Sequence, residues 1–285
     1  MNAHDPQPLL EGLHLERRFG RGTQARRVLN DVSVAIDPGE CLGVIGGSGS
    51  GKTTLVRILL GLQQQTSGTV RYRGHDVEGR RSGGYRLLRA ESALVFQDPF
   101  DSLDPRWDVE RIVGEPLALR RSQRRMFGPR AVDGPSDGQL AGHGEDRTSH
   151  AGRRDAVLEA LAQAGLEASS TLGRRPSQLS GGQAQRVAIA RAIVTRPKLI
   201  VADEPMSAID VSARLQVLQA FAAIRAARPD TTLIVVSHDL GIVQHLADRV
   251  MVLHDGSVVE QGPTARILEH PRQSYTRQLI RAASW

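Results

Sequence analysis

The sequence contains little of what several classes of protein need. Cys41 is the only cysteine among 285 residues, so a disulfide within the chain and a cluster of thiolate metal ligands are both excluded. It lies in the apolar run "ECLGVIGG", which predicts a small buried side chain and not a reactive thiol. Aromatic residues make up 4% of the chain, too few for a platform on which bases stack. We therefore expect no nucleic-acid partner.

Long apolar runs are also missing. No stretch approaches the roughly 18 uninterrupted apolar residues of a membrane-spanning helix, and the start of the chain lacks the basic-then-apolar layout of a signal peptide. We expect a cytosolic chain that does not itself cross a membrane. The formal charge of +6 comes largely from arginines spread over the whole length, which favours a solvated basic surface over a nucleic-acid site.

Lysine is rare as well, and occurs only at positions 52 and 198. Lys52 lies in "GGSGSGKT", residues 46–53, which matches the pattern G-x-x-x-x-G-K-[ST]. Glycines let several backbone amides approach a polyanion, because they have no Cβ and reach positive φ freely. The strand-like "CLGVI" before this segment and the helical spacing of "TTLVRILLGL" after it are the expected context.

The glycine-rich segment predicts nucleotide binding. Its amides and the start of the following helix would hold phosphates, Lys52 would reach the terminal phosphates, and the Thr53 hydroxyl would help to hold Mg²⁺. The predicted binding residues are Gly46, Gly47, Ser48, Gly49, Ser50, Gly51, Lys52, Thr53 and Thr54. A flexible glycine linker is the alternative, and the rarity of lysine argues against a chance match.

Two further strand-like runs end in polar residues. "KLIVADE" ends in Asp203 and Glu204, and "TTLIVVSHD" carries His238 near its end. Ligands of open α/β sheets bind at the carboxyl ends of parallel strands. We therefore predict that Asp203 holds Mg²⁺ through water, that Glu204 orients or deprotonates the attacking water, and that His238 faces the γ-phosphate. A solvated strand end and a surface histidine are the alternatives.

A second Ser-Gly-Gly segment opens "LSGGQAQRVAIARAI", residues 179–193. Free amides, a small hydroxyl and the positive end of a helix dipole make such a segment suited to an anion. One nucleotide does not need two such loops from one chain, which raises the hypothesis that the second loop serves a nucleotide held by a partner. The alternative is an ordinary N-cap with a glycine turn.

With this segment the chain resembles the ATP-binding cassette (ABC) ATPases, whose signature LSGGQ is intact at 179–183, and the resemblance runs from about residue 8 to 281. It implies that Gln97 in "LVFQDP" contacts Mg²⁺ and water and couples to membrane subunits, and that His238 is the switch histidine. It also implies that residues 207–210 cross a dimer interface. Phe19 in "RRFG" matches the aromatic that stacks on adenine, with an ordinary strand-end aromatic as the alternative.

The resemblance implies a head-to-tail dimer with a second ATPase subunit, identical or different. Each ATP would lie between the phosphate loop of one subunit and the signature of the other, whose residues here are Ser180, Gly181, Gly182 and Gln183. The segments "VFQDPFDSLDPRWDVERIVGEPL" and "GSVVEQGPTARILEHPRQSYTRQLI" resemble ATPase subunits of bacterial oligopeptide, dipeptide and nickel importers.

The resemblance implies a peripheral protein that binds transmembrane permease subunits at the cytoplasmic face of the plasma membrane. It also implies an indirect partner, a periplasmic or extracellular solute-binding protein. ATP and Mg²⁺ are the implied ligands. Two alternatives remain at this point. One is a soluble ABC-family ATPase of a multi-enzyme complex, similar to those of phosphonate degradation. The other is a module that uses ATP only to dimerise.

The predicted fold class is α/β: a P-loop NTPase core of ABC type, with an N-terminal antiparallel β subdomain and an inserted α-helical signature subdomain. The ATPase domain is predicted at 8–262, with the helical insertion at about 100–178, and a helical tail at 263–285. Core strands are predicted at 41–46, 92–97, 198–203 and 231–237, and a hairpin with an Asp-Gly turn in "RVMVLHDGSVVEQG". The Gly-, Arg- and polar-rich residues 121–154 predict a mobile surface loop.

Overall fold

The computed structural model of the protein describes residues 7–20, 26–127, 150–207 and 209–283. The strands of this part are β1 (Leu10–Phe19), β2 (Arg26–Ile36), β3 (Cys41–Ile45), β4 (Ser67–Tyr72), β5 (His75–Asp76), β6 (Ser92–Val95), β7 (Leu199–Asp203), β8 (Thr232–Val236), β9 (Arg249–His254) and β10 (Ser257–Pro263). The α-helices are α1 (Lys52–Leu59), α2 (Gly83–Glu91), α3 (Val109–Phe127), α4 (His150–Gln163), α5 (Ala168–Thr171), α6 (Gly181–Ile193), α7 (Val211–Ala227), α8 (Leu240–Leu246), α9 (Thr264–Glu269) and α10 (Ser274–Ala283).

The chain divides into two compact units. The first combines residues up to Arg89 with those from Asp230 onward, and the second is Ala90–Pro229. The predicted domain bounds of 8–262 and 263–285 remain predictions.

An antiparallel sheet occupies the N-terminal part of the first unit. Its strand order is β2-β1-β4-β5, with Leu10 opposite Ile36 on one side and opposite Tyr72 on the other. These three side chains are fully buried. The predicted antiparallel β subdomain is confirmed, and it includes β4 and β5, which follow α1 in the chain.

The second sheet region of the first unit has the order β10-β9-β3-β8, in which β9, β3 and β8 are parallel. Every residue of β3 and β8 is buried, as expected for apolar strands covered on both faces. Cys41 is buried as predicted, and its N–H donates to Asp248 Oδ2 at 2.8 Å. The β9–β10 hairpin turns at Asp255 and Gly256, with φ of 45° and 76°, the positive values that a tight hairpin turn favours.

The second unit is mainly helical around a parallel pair of strands, β6 and β7, in which Val95 lies opposite Ala202. The helix α6 is mostly buried and packs against α3, α4 and α7. Two arginines that follow α6 and α7 support this packing. Arg196 and Arg228 both donate hydrogen bonds to the Glu159 carboxylate of α4. The predicted helical character of the region is therefore correct.

The prediction of a loop over 121–154 is wrong at both ends. The helix α3 continues to Phe127, and α4 already begins at His150. The segment "RSQRRMF" contains three arginines, one glutamine and one methionine, which are all good helix formers, so its polarity does not prevent a helix. The remainder of the predicted loop, 128–149, lies outside the described residues. Within the described part, no helix is both long and apolar enough to cross a membrane.

Candidate nucleotide site

The glycine loop joins β3 directly to α1, as the motif predicts. Gly46 and Gly51 have φ of 154° and 105°. A Cβ on Gly46 would lie 2.2 Å from the carbonyl oxygen of Leu253, and a Cβ on Gly51 would lie 2.8 Å from that of Val28. Both approaches are too close for any side chain, so β2 and β9 press against a loop that must be glycine at these positions.

Lys52, the first residue of α1, folds back over this loop. Its side chain is buried, with 6% exposed, and its Nζ donates to the carbonyl oxygens of Gly46 at 2.9 Å and Gly47 at 3.0 Å. An ammonium group removed from water needs hydrogen-bond acceptors, and the two carbonyls supply them. The positive charge is thereby fixed beside the loop backbone, where a phosphate would approach.

Ser50 supplies a test of whether the loop suits a phosphate. Its Oγ is buried and has no hydrogen-bond partner within the described part of the chain. A buried hydroxyl without a partner costs about 1–3 kcal/mol, and a phosphate oxygen would satisfy it. The N-cap of α1 is Gly51, which has no side chain to cap the first-turn amides. The loop therefore fits an anion with several oxygens.

The outer residues of the loop are accessible. Ser48 and Gly49 are exposed, and Thr53 and Thr54 are half-buried on α1. Gly47, which is predicted to bind phosphate, is half-buried, and its N–H donates to Tyr275 Oη at 2.8 Å. Tyr275 is not predictable from the sequence, because no local pattern connects residues 228 positions apart.

In the second unit, β7 ends at Asp203 as predicted, and the chain turns sharply at Glu204. Glu204 has φ of 47°, a left-handed conformation that costs a non-glycine residue about 1–2 kcal/mol. The N–H and Oγ of Ser207 both donate to the Glu204 carbonyl oxygen, at 3.2 and 3.1 Å. These bonds hold the turn and leave the half-buried carboxylates of Asp203 and Glu204 at the end of a buried strand.

The predicted interface segment ends at Asp210, which is the N-cap of α7. Asp210 Oδ1 accepts hydrogen bonds from Ser212 Oγ at 2.7 Å and from the Ala213 N–H at 2.8 Å. These two bonds lower the pKa of Asp210 below its ordinary value, because both stabilise the carboxylate. Asp210, the last residue of the predicted interface segment, is therefore an ionised N-cap of α7, while residue 208 of that segment lies outside the described residues.

The signature segment forms the start of α6. Ser180 is its N-cap and is exposed, as is Gly181, while Gln183 is half-buried. Gly182 is buried, and a Cβ there would lie 2.4 Å from the Cβ of Ala213, so glycine lets α6 approach α7 closely. The N-cap alternative raised from the sequence is correct as a description of the local structure.

The other predicted site residues lie at strand ends. Gln97 follows β6 and His238 follows β8, and both are exposed. Phe19 ends β1 with 43% of its surface exposed, and the Arg17 guanidinium lies 4.5 Å from the centre of its ring. An accessible aromatic ring of this kind can stack on a base, although the contact with Arg17 is also a typical structural cation–π pair.

Comparison with known proteins identifies the family. The family model described as "ABC transporter" matches residues 29–207. This chain belongs to the ABC transporter family. It is 36% identical over 264 residues to the oligopeptide transport ATP-binding protein OppF of Lactococcus lactis. The aligned region covers 93% of this chain and 74% of that protein. It is 35% identical over 282 residues to the dipeptide transport ATP-binding protein DppF of Escherichia coli, covering 97% and 76%.

Solved structures of ABC cassettes have the same fold. The dimeric, post-hydrolysis cassette MJ0796 bound to ADP and Pi has a TM-score of 0.71 at 28% identity, covering 90% of this chain and 98% of that one. The cbiO1 subunit of the cbiONQ transporter complex of Clostridium perfringens has a TM-score of 0.73 at 26% identity, covering 93% and 92%. The predicted α/β fold of ABC type is confirmed, and the chain is an ABC ATPase.

Proposed function

We propose that this ABC ATPase is the ATP-hydrolysing subunit of a bacterial importer and drives peptide uptake through partner permeases. The relatives that match almost the whole chain are named for oligopeptide and dipeptide transport. That naming favours peptides over the nickel complexes that the sequence also suggested. It also favours a transporter over the soluble ATPase of a phosphonate-degradation-like complex.

The main support for ATP binding is the structure of the phosphate loop. Lys52 is held against the loop carbonyls, and the buried Ser50 hydroxyl lacks a partner in the described structure. We infer that residues 46–54 cradle the phosphates, that Lys52 offsets the charge of the terminal phosphates, and that Phe19 stacks on adenine.

Mg²⁺ is the expected metal, and the candidate ligands are the Thr53 hydroxyl, the Gln97 amide oxygen and the Asp203 carboxylate. They are all oxygen donors, which is the ligand type that Mg²⁺ prefers. When bound, the ion offsets negative charge on the phosphate oxygens.

Hydrolysis then depends on Glu204 and His238. The Glu204 carboxylate accepts a hydrogen bond from water and takes up its proton as the water oxygen attacks the terminal phosphorus. The bond from phosphorus to the bridging oxygen breaks, and ADP leaves with phosphate. His238 binds the γ-phosphate. A module that uses ATP only to dimerise would need neither residue.

Dimerisation is the second part of the proposal. The cassette MJ0796, similar to this chain, has been solved as a dimer. We infer a head-to-tail dimer in which Ser180, Gly181, Gly182 and Gln183 contact the nucleotide of a second ATPase subunit, identical or different. The pair would lie at the cytoplasmic face of the plasma membrane, bound peripherally to permeases, and a solute-binding protein would deliver the cargo.

The experiment is purification of the tagged Glu204→Gln chain from its own cells, in mild detergent with Mg²⁺ and ATP, followed by mass spectrometry. We expect permeases with several membrane spans and an ATPase partner. The Lys52→Ala chain, purified in the same way, should lose the ATP-dependent partner. Recovery of soluble enzymes alone would overturn the importer proposal and favour the multi-enzyme complex.

A further inference from the structure

The C-terminal helix of the first unit contacts the phosphate loop through one hydrogen bond. The N–H of Gly47 donates to Tyr275 Oη at 2.8 Å, and Tyr275 lies in the first turn of α10. A Cβ on Gly47 would lie only 3.1 Å from this hydroxyl, so glycine at position 47 lets the tyrosine approach the backbone. The phosphate-loop motif does not include any residue of α10.

The contact acts on a peptide group that Lys52 also binds. The N–H of Gly47 and the carbonyl of Gly46 belong to the same planar peptide and point in opposite directions. Tyr275 Oη accepts from the N–H, while the Lys52 ammonium donates to the carbonyl oxygen at 2.9 Å. The peptide is thus held from both sides, and its rotation would break both hydrogen bonds. Because glycine lies on each side of it, the backbone itself restrains it little.

Tyr275 is itself held by the β9–β10 hairpin. Its ring stacks on the imidazole of His254, with centroids 3.7 Å apart and planes inclined by 22°. The chain leading into α10 is fixed by the buried carboxylate of Glu260 in β10. Its Oε1 accepts from the Arg272 N–H at 2.9 Å, and its Oε2 accepts from the Gln273 N–H at 3.1 Å. The position of the Tyr275 hydroxyl is therefore fixed by contacts of its ring and of the chain that leads into α10.

We propose that Tyr275 is a positioning residue for nucleotide binding: its hydroxyl fixes the Gly46–Gly47 peptide, and through it Lys52, in the orientation that receives the phosphates of ATP. The inference rests on the proposed function of the loop. Ordering a glycine backbone costs conformational entropy, and a loop ordered before binding does not incur that cost when ATP arrives. Loss of the hydroxyl should therefore weaken binding and leave the chemistry at Glu204 unchanged.

The test is Tyr275→Phe in the full chain, which keeps the ring stacked on His254 and removes the acceptor oxygen. We expect the Kd for Mg²⁺-ATP and the KM to rise about three- to tenfold, as for a single lost hydrogen bond, with kcat within about twofold of the wild type. A purely structural role would lower the thermal midpoint of the nucleotide-free chain and leave the Kd and the KM unchanged. A Kd equal to that of the wild type would overturn the proposal.

The matched control is Tyr85→Phe, because Tyr85 of α2 is half-buried and its ring lies against Gly61. This variant should bind ATP like the wild type. Amide hydrogen exchange in the nucleotide-free wild type gives a second test, which holds even where Tyr275→Phe does not fold. The Gly47 amide should be protected, and unprotected exchange there would also overturn the proposal.

Lysine variants separate this inference from the proposed function. Lys52→Ala should weaken ATP binding by more than about tenfold through loss of charge compensation, while Lys198→Ala removes the other lysine and should not. Where Lys52→Ala fails to bind ATP and Tyr275→Phe binds it normally, only the role of Tyr275 is wrong. Where both variants bind ATP normally, the phosphate-loop function is wrong as well.

Discussion

Ser180 and Gln183 exchange two hydrogen bonds across the first turn of α6. The Ser180 N–H donates to Gln183 Oε1 at 3.0 Å, and the Gln183 N–H donates to Ser180 Oγ at 3.2 Å. This is the reciprocal arrangement of a capping box, in which the cap residue and the third helical residue satisfy each other's amides. The first and last residues of the segment Ser-Gly-Gly-Gln therefore define the start of their own helix.

The first prediction concerns this cap. Ser180→Ala should destabilise the chain by about 1 kcal/mol, because the Gln183 amide loses its acceptor. Since Ser180 is exposed and proposed to face the nucleotide of a second subunit, the same change should also weaken ATP-dependent dimerisation of the Glu204→Gln chain. Binding of ATP to the chain's own phosphate loop should remain unchanged. Analytical ultracentrifugation with and without Mg²⁺-ATP, beside titrations of nucleotide affinity, measures both effects.

Ser177→Ala is the matched control, because Ser177 is exposed and lies in the short 3-10 helix Pro176–Gln178 just before the signature. It should affect neither stability nor dimerisation. Equal dimerisation of the Ser180→Ala and Ser177→Ala chains would restrict Ser180 to its local capping role.

Local patterns in the sequence predict much of this architecture. The glycine loop is correctly placed between β3 and α1, because its spacing and its flanking apolar runs all lie within about 20 residues. Asp203 is correctly placed at the end of β7, because a fully apolar run ending in acid is typical of a buried parallel strand. The Asp-Gly pair likewise predicts the turn between β9 and β10.

The remaining features depend on contacts between distant segments or on helix propensity in polar sequence. The bond between Gly47 and Tyr275 joins residues 228 positions apart, and no periodic pattern encodes it. The left-handed turn at Glu204 is equally invisible, because non-glycine residues adopt it only where tertiary contacts impose it. The end of α3 and the start of α4 fall in the predicted loop, because composition alone does not distinguish a polar helix from a polar loop.

A second prediction concerns pH and the anchor of α10. Burial alone would raise the pKa of Glu260, but the amides of Arg272 and Gln273 and the charge of Arg266 add to a larger opposite effect. The pKa therefore lies below its ordinary value of 4.5. Because this folded-state pKa is below the unfolded one, the carboxylate stabilises the fold above pH 4.5. That contribution is lost as the pH falls through the lower folded-state value.

Glu260→Gln should accordingly lower the free energy of unfolding by about 1–3 kcal/mol at pH 7, as expected for hydrogen bonds to a charged group. The difference from the wild type should shrink once the pH falls below 4.5. Urea denaturation of both chains at pH 7 and at successively lower pH measures it, with the exposed Glu269→Gln as control. A difference that does not change with pH would show that Glu260 acts through packing and not through its charge.

The proposed role of Glu204 in hydrolysis distinguishes an ATP-hydrolysing subunit from a module that only binds the nucleotide. Glu204→Gln keeps the size of the side chain and removes the carboxylate that takes up the proton of the attacking water. The most direct test is single-turnover hydrolysis of Mg²⁺-ATP by this chain, compared with the wild type and with Glu269→Gln. We predict hydrolysis slower by about 10²–10⁴-fold, unchanged affinity for ATP and accumulation of an ATP-bound dimer. Undiminished hydrolysis by the Glu204→Gln chain would contradict the account.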